Sequence, residues 1–67
     1  MSVVKIITLV GESPKGWEDA MKNVIKEAKK TLRGITRIGV TDMDVRLEGE
    51  KRFLYRVKAD VSFRIER

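Results

Sequence analysis

The stretch from Phe53 to Ile65 alternates without a break: Phe53, Tyr55, Val57, Ala59, Val61, Phe63 and Ile65 take one parity, and Leu54, Arg56, Lys58, Asp60, Ser62 and Arg64 the other. A period of two sends successive side chains to opposite sides of a strand, so this segment is a long strand with one apolar and one largely polar face. The apolar face requires a cover. The chain offers one candidate, because Trp17, Ala20, Met21, Val24, Ile25, Ala28 and Leu32 fall on a single face at helical spacing. One amphipathic helix lying on one side of a sheet is the arrangement these two patterns impose.

Other segments supply the rest of the sheet. Val3 to Val10 is rich in β-branched residues and stops at Gly11, which suits a buried or half-buried strand. Ser13 followed by Pro14 reads as an N-cap and first helical position, the hydroxyl accepting an orphan N–H where proline has none to leave unsatisfied. Glu18 and Asp19 in the early turns, with Lys29, Lys30 and Arg33 near the end, oppose the helix dipole, and Gly34 reads as the residue that stops the helix. In the segment Thr36 to Leu47, Ile38 and Val40 share one parity while Met43, Val45 and Leu47 share the other. A strand cannot bury both sets on one face without a bulge or bend, expected between Thr41 and Asp44. Glu48 to Lys51, with Gly49, is the turn into the last strand.

The expected architecture is α+β: a single β-α-β-β domain over residues 1–67, a three-stranded antiparallel sheet with the last strand central and the helix on one face, where Phe63 is expected in the core. The other face carries Arg56, Lys58, Asp60, Ser62 and Arg64, so it is expected to meet water or a polar cavity and no second apolar layer. One helix on three strands is a thin core, and with no Cys in its 67 residues the chain has no disulfide to reinforce it. Self-assembly is the expected remedy.

Composition narrows the chemistry. Lacking His as well as Cys, the chain cannot form zinc sites built on them, imidazole bases or Ser-His-Asp and Cys-His constellations, and no nucleophile-base pair or cofactor fingerprint is present. The reading is a protein that is not an enzyme. Apolar runs such as Ile6 to Val10 fall far short of the roughly 20 residues of a membrane span, which leads to the expectation of a soluble, cytoplasmic protein. Fifteen Lys and Arg against ten Asp and Glu give a formal charge of +5, which suits anionic partners.

The order of elements, together with Leu9-Val10-Gly11-Glu12-Ser13-Pro14, Lys30-Thr31-Leu32-Arg33 and Val61-Ser62-Phe63-Arg64-Ile65-Glu66, resembles the dodecins over essentially the whole chain. The resemblance implies a hollow homododecamer of tetrahedral symmetry, helices outside and sheets lining the lumen, which in the best-known members stores riboflavin, FMN or FAD as stacked pairs. Flavin-binding dodecins place a Trp shortly after the helix, stacked on the ring, and a Gln beside the Tyr of the last strand. Those positions align with Arg37 and Arg56 here, so both familiar flavin contacts are replaced. Ser13-Pro14-Lys15-Gly16-Trp17-Glu18-Asp19-Ala20 and the run from Tyr55 to Phe63 are similar to the subgroup described as calcium dodecins, whose lone Trp opens the helix. Trp17 then belongs to the core or to a subunit interface.

Two groups of candidate site residues follow. Asp42 and Asp44 form the sequence's Asp-x-Asp pair, a candidate metal site because calcium seeks several carboxylate or carbonyl oxygens; Glu12, Asp60 and Glu66 are lesser candidates. Arg37, Arg56, Lys58 and Arg64 are candidate ligand-binding residues, able to hold anions by charge and by guanidinium geometry, or to pair with acids instead. Twelve copies would carry about +60 in formal charge, which favours bound anions. The functional expectation is a shell that sequesters or buffers a flavin, another small anion or calcium. The alternative is an interaction protein that meets nucleic acid or an anionic membrane through Lys26, Lys29, Lys30 and Arg33, although helix-dipole pairing accounts for much of that cluster and weakens the nucleic-acid case.

Overall fold

A computed structural model describes residues 3–65 of the chain, so Glu66 lies outside the described residues. The element order is β1 (Val3–Ser13), α1 (Trp17–Thr31), β2 (Ile35–Leu47) and β3 (Phe53–Ile65). All pairings are antiparallel, and the order β1-β3-β2 puts the cleanly alternating strand in the centre.

The helix lies over β1 and β3. Val24 and Ala28 meet Ala59 and Val61, with Ile7, Leu9, Leu32, Ile35 and Ile38 packed around them. Val57, Ala59 and Val61 are buried, which confirms the parity read for β3. Toward the ends of the same face the cover runs out: Phe63 is half-buried and Phe53 and Ile65 are exposed, because a helix of 15 residues spans about 22 Å while a 13-residue strand spans about 43 Å. The expected core position of Phe63 is therefore its rim.

β1 runs through Gly11 to Ser13 instead of stopping at the glycine. Gly11 pairs with Val57 and faces the helix, where a Cβ would meet the carbonyl oxygen of Ala20 and stand 2.5 Å from Cγ2 of Val24. Ala20, fully buried, brings the helix down onto the strand at this point. Ser13 is consequently a buried strand residue and not the N-cap. Its Oγ accepts the Lys15 N–H at 3.0 Å and donates to Asp19 Oδ2 at 2.6 Å, bracketing the turn, while Gly16 occupies the cap position at φ 150°. The helix end also differs from expectation. Leu32, in extended conformation, caps it and donates its N–H to the Ala28 carbonyl. Gly34, at φ 69°, serves the next turn, where its carbonyl accepts the Arg64 N–H at 2.9 Å.

The parity conflict in β2 is resolved by a bulge at the expected place. The register shifts between Val40 and Asp42, so Ile38 and Val40 oppose Val61 and Ala59 while Met43, Val45 and Leu47 oppose Val57, Tyr55 and Phe53, all on the helix side. A second shift between Ile35 and Arg37 does the same for Ile35, opposite Phe63. Each extra residue is a threonine whose hydroxyl donates to a β3 carbonyl at 3.3 Å, Thr36 to Ser62 and Thr41 to Lys58.

The product is a plate and not a sphere. Its extents are 52 × 19 × 13 Å and its radius of gyration is 13.8 Å, against roughly 11 Å for a compact chain of this length. It exposes 5470 Å², where a compact monomer of this mass exposes roughly 4300 Å². Part of the excess is apolar. Val40, Met43, Leu47 and Phe53 lie uncovered on the helix side, beyond the helix, and Val4, Ile6 and Val10 lie uncovered on the open side.

Candidate functional site

Strand register lays the open face out in rows. Glu12, Arg56 and Asp44 form one row across β1, β3 and β2; Val10, Lys58 and Asp42 form the next. Thr8, Asp60 and Gly39 follow, then Ile6, Ser62 and Arg37. Each acid of β2 thus faces a base of the central strand. Val10, Asp42, Asp44, Arg56 and Lys58 surround a hollow of about 110 Å³.

The bulge at Thr41 creates this grouping. Without the extra residue Asp42 and Asp44 would fall on the helix side with Val40; with it, they join Arg56 and Lys58. Asp42 Oδ1 accepts the Met43 N–H at 3.0 Å, which fixes that carboxylate locally. Asp44 is held through its backbone, whose carbonyl accepts the indole N–H of Trp17 at 3.1 Å. Trp17 in turn lies edge-on to Tyr55 with ring centres 4.9 Å apart, so the aromatic pair ties the helix start to β2 beneath the hollow. Trp17 is part exposed, a rim residue and not a core one.

Arg56 Nε lies 3.2 Å from Glu12 Oε2, close enough for an ion pair, yet its N–H is shielded from solvent and meets no protein acceptor in hydrogen-bonding geometry. The contact is electrostatic only. Lys58 enters no ion pair among the described residues, nor do Arg37 and Arg64. Asp60, a lesser cation candidate, accepts a hydrogen bond from Thr8 Oγ1 at 2.9 Å and stands outside the hollow.

The four basic candidates do not converge within one chain. Arg56 and Lys58 line the hollow, whereas Arg37 sits opposite Ser62, six residues farther along β3 than Arg56, about 20 Å away at the rise of a strand. Arg37 borders a separate depression with Val4, Thr36 and Ser62, and Arg64 borders another at the end of the helix with Leu32, Arg33 and Phe63. Sequence reasoning also gave the open face too polar a character. Val4, Ile6 and Val10 stand beside Arg64, Ser62 and Lys58, and the signal was the apolar stretch Val3 to Val10, broken only by Lys5 and Thr8, which leaves both faces of β1 largely apolar. No group of three or more acids close enough to hold a metal forms among the described residues of one chain. Nor is any helix among them long and apolar enough to cross a membrane.

A single helix on one side of a three-stranded antiparallel plate, with the opposite face left open and laddered with charge, defines a small α+β protomer of the dodecin type. The dodecin family model matches residues 3–66, and the chain belongs to this family. It is 32% identical over 65 residues to a calcium dodecin of Mycobacterium tuberculosis, covering 97% of this chain and 92% of that protein. Among solved structures, an arginine-to-alanine variant of the Thermus thermophilus dodecin superposes with a TM-score of 0.91 at 31% identity, covering 100% of both chains. The calcium-chelating immunodominant antigen, calcium dodecin, of M. tuberculosis superposes with a TM-score of 0.88 at 31% identity, over 97% of this chain and 93% of that one.

Proposed function

We propose that the chain closes into a homododecameric shell that sequesters a small ionic ligand, calcium foremost, on the open faces of its sheets, and that it catalyses no reaction. The observation that carries this reading is the hollow at Asp42 and Asp44. Its volume of about 110 Å³ suits an ion with its waters and falls below the roughly 300–1,000 Å³ of pockets that enclose organic ligands. Two carboxylates fall short of the six to eight oxygens, roughly, that calcium takes, so waters or copies related by symmetry complete the shell. A relative described as a calcium dodecin supports calcium as the ion. The flat plate, its excess surface and its uncovered apolar residues support assembly.

A flavin is the poorer occupant. Phe53, Tyr55 and Phe63 share the helix-side parity of β3 and Trp17 packs on Tyr55, so all four aromatic residues lie away from the open face. Arg37 and Arg56 replace stacking and amide groups with cations, which favours anionic ligands over neutral riboflavin.

Calcium added to metal-stripped protein is expected to raise the melting temperature. At a hundredfold excess over Kd the gain is about 2.7 kcal/mol, and Asp42→Asn should reduce it. An unchanged melting temperature up to millimolar calcium would contradict the reading.

A further inference from the structure

We propose that the hollow takes a divalent cation together with a small oxyanion, as a co-bound pair, and that Arg56 and Lys58 are the anion's ligands. This rests on the reading of Asp42 and Asp44 as a calcium site and names what that site binds besides calcium.

Charge arithmetic at the hollow leads there. Asp42 and Asp44 in the lining and Glu12 beside it, paired with Arg56, bring three negative charges, and Arg56 and Lys58 two positive ones, for a net of −1. A lone oxyanion deepens that negative charge. A lone divalent cation brings the net to +1 and sits beside two cations directly opposite its ligands in the strand register, Lys58 across from Asp42 and Arg56 across from Asp44. Cation and monovalent oxyanion together bring the net to zero, and a divalent oxyanion returns it to −1.

The donor groups agree with the arithmetic. Arg56 Nε–H is shielded from solvent and lacks an acceptor among the described residues, a donor that the Glu12 ion pair leaves unused. Unused donors of this kind are costly to bury and are relieved by a ligand oxygen. Lys58 contributes an ammonium with no ion-pair partner among the described residues, at the same hollow. An oxyanion bridging both would face the cation held by the two aspartates across the width of one strand pair, about 5 Å. Each ion then screens the other from the like charges that surround it, so the two affinities rise together, and linkage requires the same factor in both directions.

The test is calorimetric titration of calcium chloride into the assembled protein, in chloride buffer and in the same buffer with sulfate at matched ionic strength. Sulfate tightening the calcium Kd at least fivefold is the expected result, with an equal factor when sulfate is titrated in saturating calcium. Lys58→Met, an exposed position on the open face, should abolish the sulfate effect, and with one cation fewer opposite Asp42 calcium should bind in chloride more tightly than to the parent. Calcium binding with the same Kd in both buffers would overturn the co-bound pair and leave the calcium reading standing. No calcium binding in either buffer would overturn both.

Discussion

Replacing Gly11 by Ala probes a place where the backbone of the helix lies directly on the sheet. A methyl group there would run into the Ala20 carbonyl and stand 2.5 Å from Cγ2 of Val24, and a main-chain oxygen cannot rotate aside as a side chain can. Either α1 lifts from β1 or β1 bows away from β3. Overpacking of this kind costs about 1–3 kcal/mol. For a chain of this size each kcal/mol lowers the melting temperature by about 4–8 °C, so a cost of about 2 kcal/mol predicts a fall of about 8–16 °C. Gly39→Ala is the matched control. It lies in β2, a Cβ there meets nothing within 4 Å, and its φ is not positive, so removing glycine's unfolded-state entropy should stabilise by about 0.4–1 kcal/mol. Thermal melts of both variants at one fixed protomer concentration, followed by circular dichroism, read the difference. A Gly11→Ala melt within 2 °C or so of the parent would refute the close approach of α1 to β1.

Val61→Ala removes two fully buried methyl groups between Val24 and Ala28, and denaturant titration should show a loss of about 2 kcal/mol; a loss below about 0.5 would contradict its place at the centre of the core. Thr41→Val keeps the shape of the bulge but removes the hydroxyl bonded to the Lys58 carbonyl, for an expected cost of about 1 kcal/mol by the same titration. Arg37→Trp places an aromatic ring on an open face that has none, and fluorescence titration should show riboflavin quenching stronger than in the parent; tight, salt-insensitive riboflavin binding by the unaltered chain would mean that Arg37 and Arg56 serve flavin as they stand.

The alternation of Phe53 to Ile65 was enough to place β3 at the centre of the sheet, and the parity conflict in β2 was enough to locate the bulge near Thr41. The second bulge, at Thr36, was legible too, had Ile35 been counted with the strand, because Ile35 and Ile38 already disagree in parity. The helix ends were misread for a physical reason. Ser13-Pro14 and Gly34 carry strong capping chemistry, but Ser13 pairs with Tyr55 as the last residue of β1 and bonds through its hydroxyl with Asp19 and Lys15, and Gly34 is drawn into the turn that reaches Arg64. At the candidate site, Asp42 and Asp44 were visible as a pair. That they face Lys58 and Arg56, while Arg37 lies opposite Ser62, depends on the register in which β2 pairs with β3, which the sequence of β2 by itself does not set.

The native mass of the purified protein tests the central claim most directly. Twelve chains of 7.7 kDa make a closed shell of about 92 kDa, and the uncovered apolar surface of the plate predicts that this species persists at micromolar concentration. Native mass spectrometry should show that one mass, with calcium retained on it and less calcium retained by the Asp42→Asn protein. A spectrum of monomer or dimer alone across the micromolar range would contradict the account.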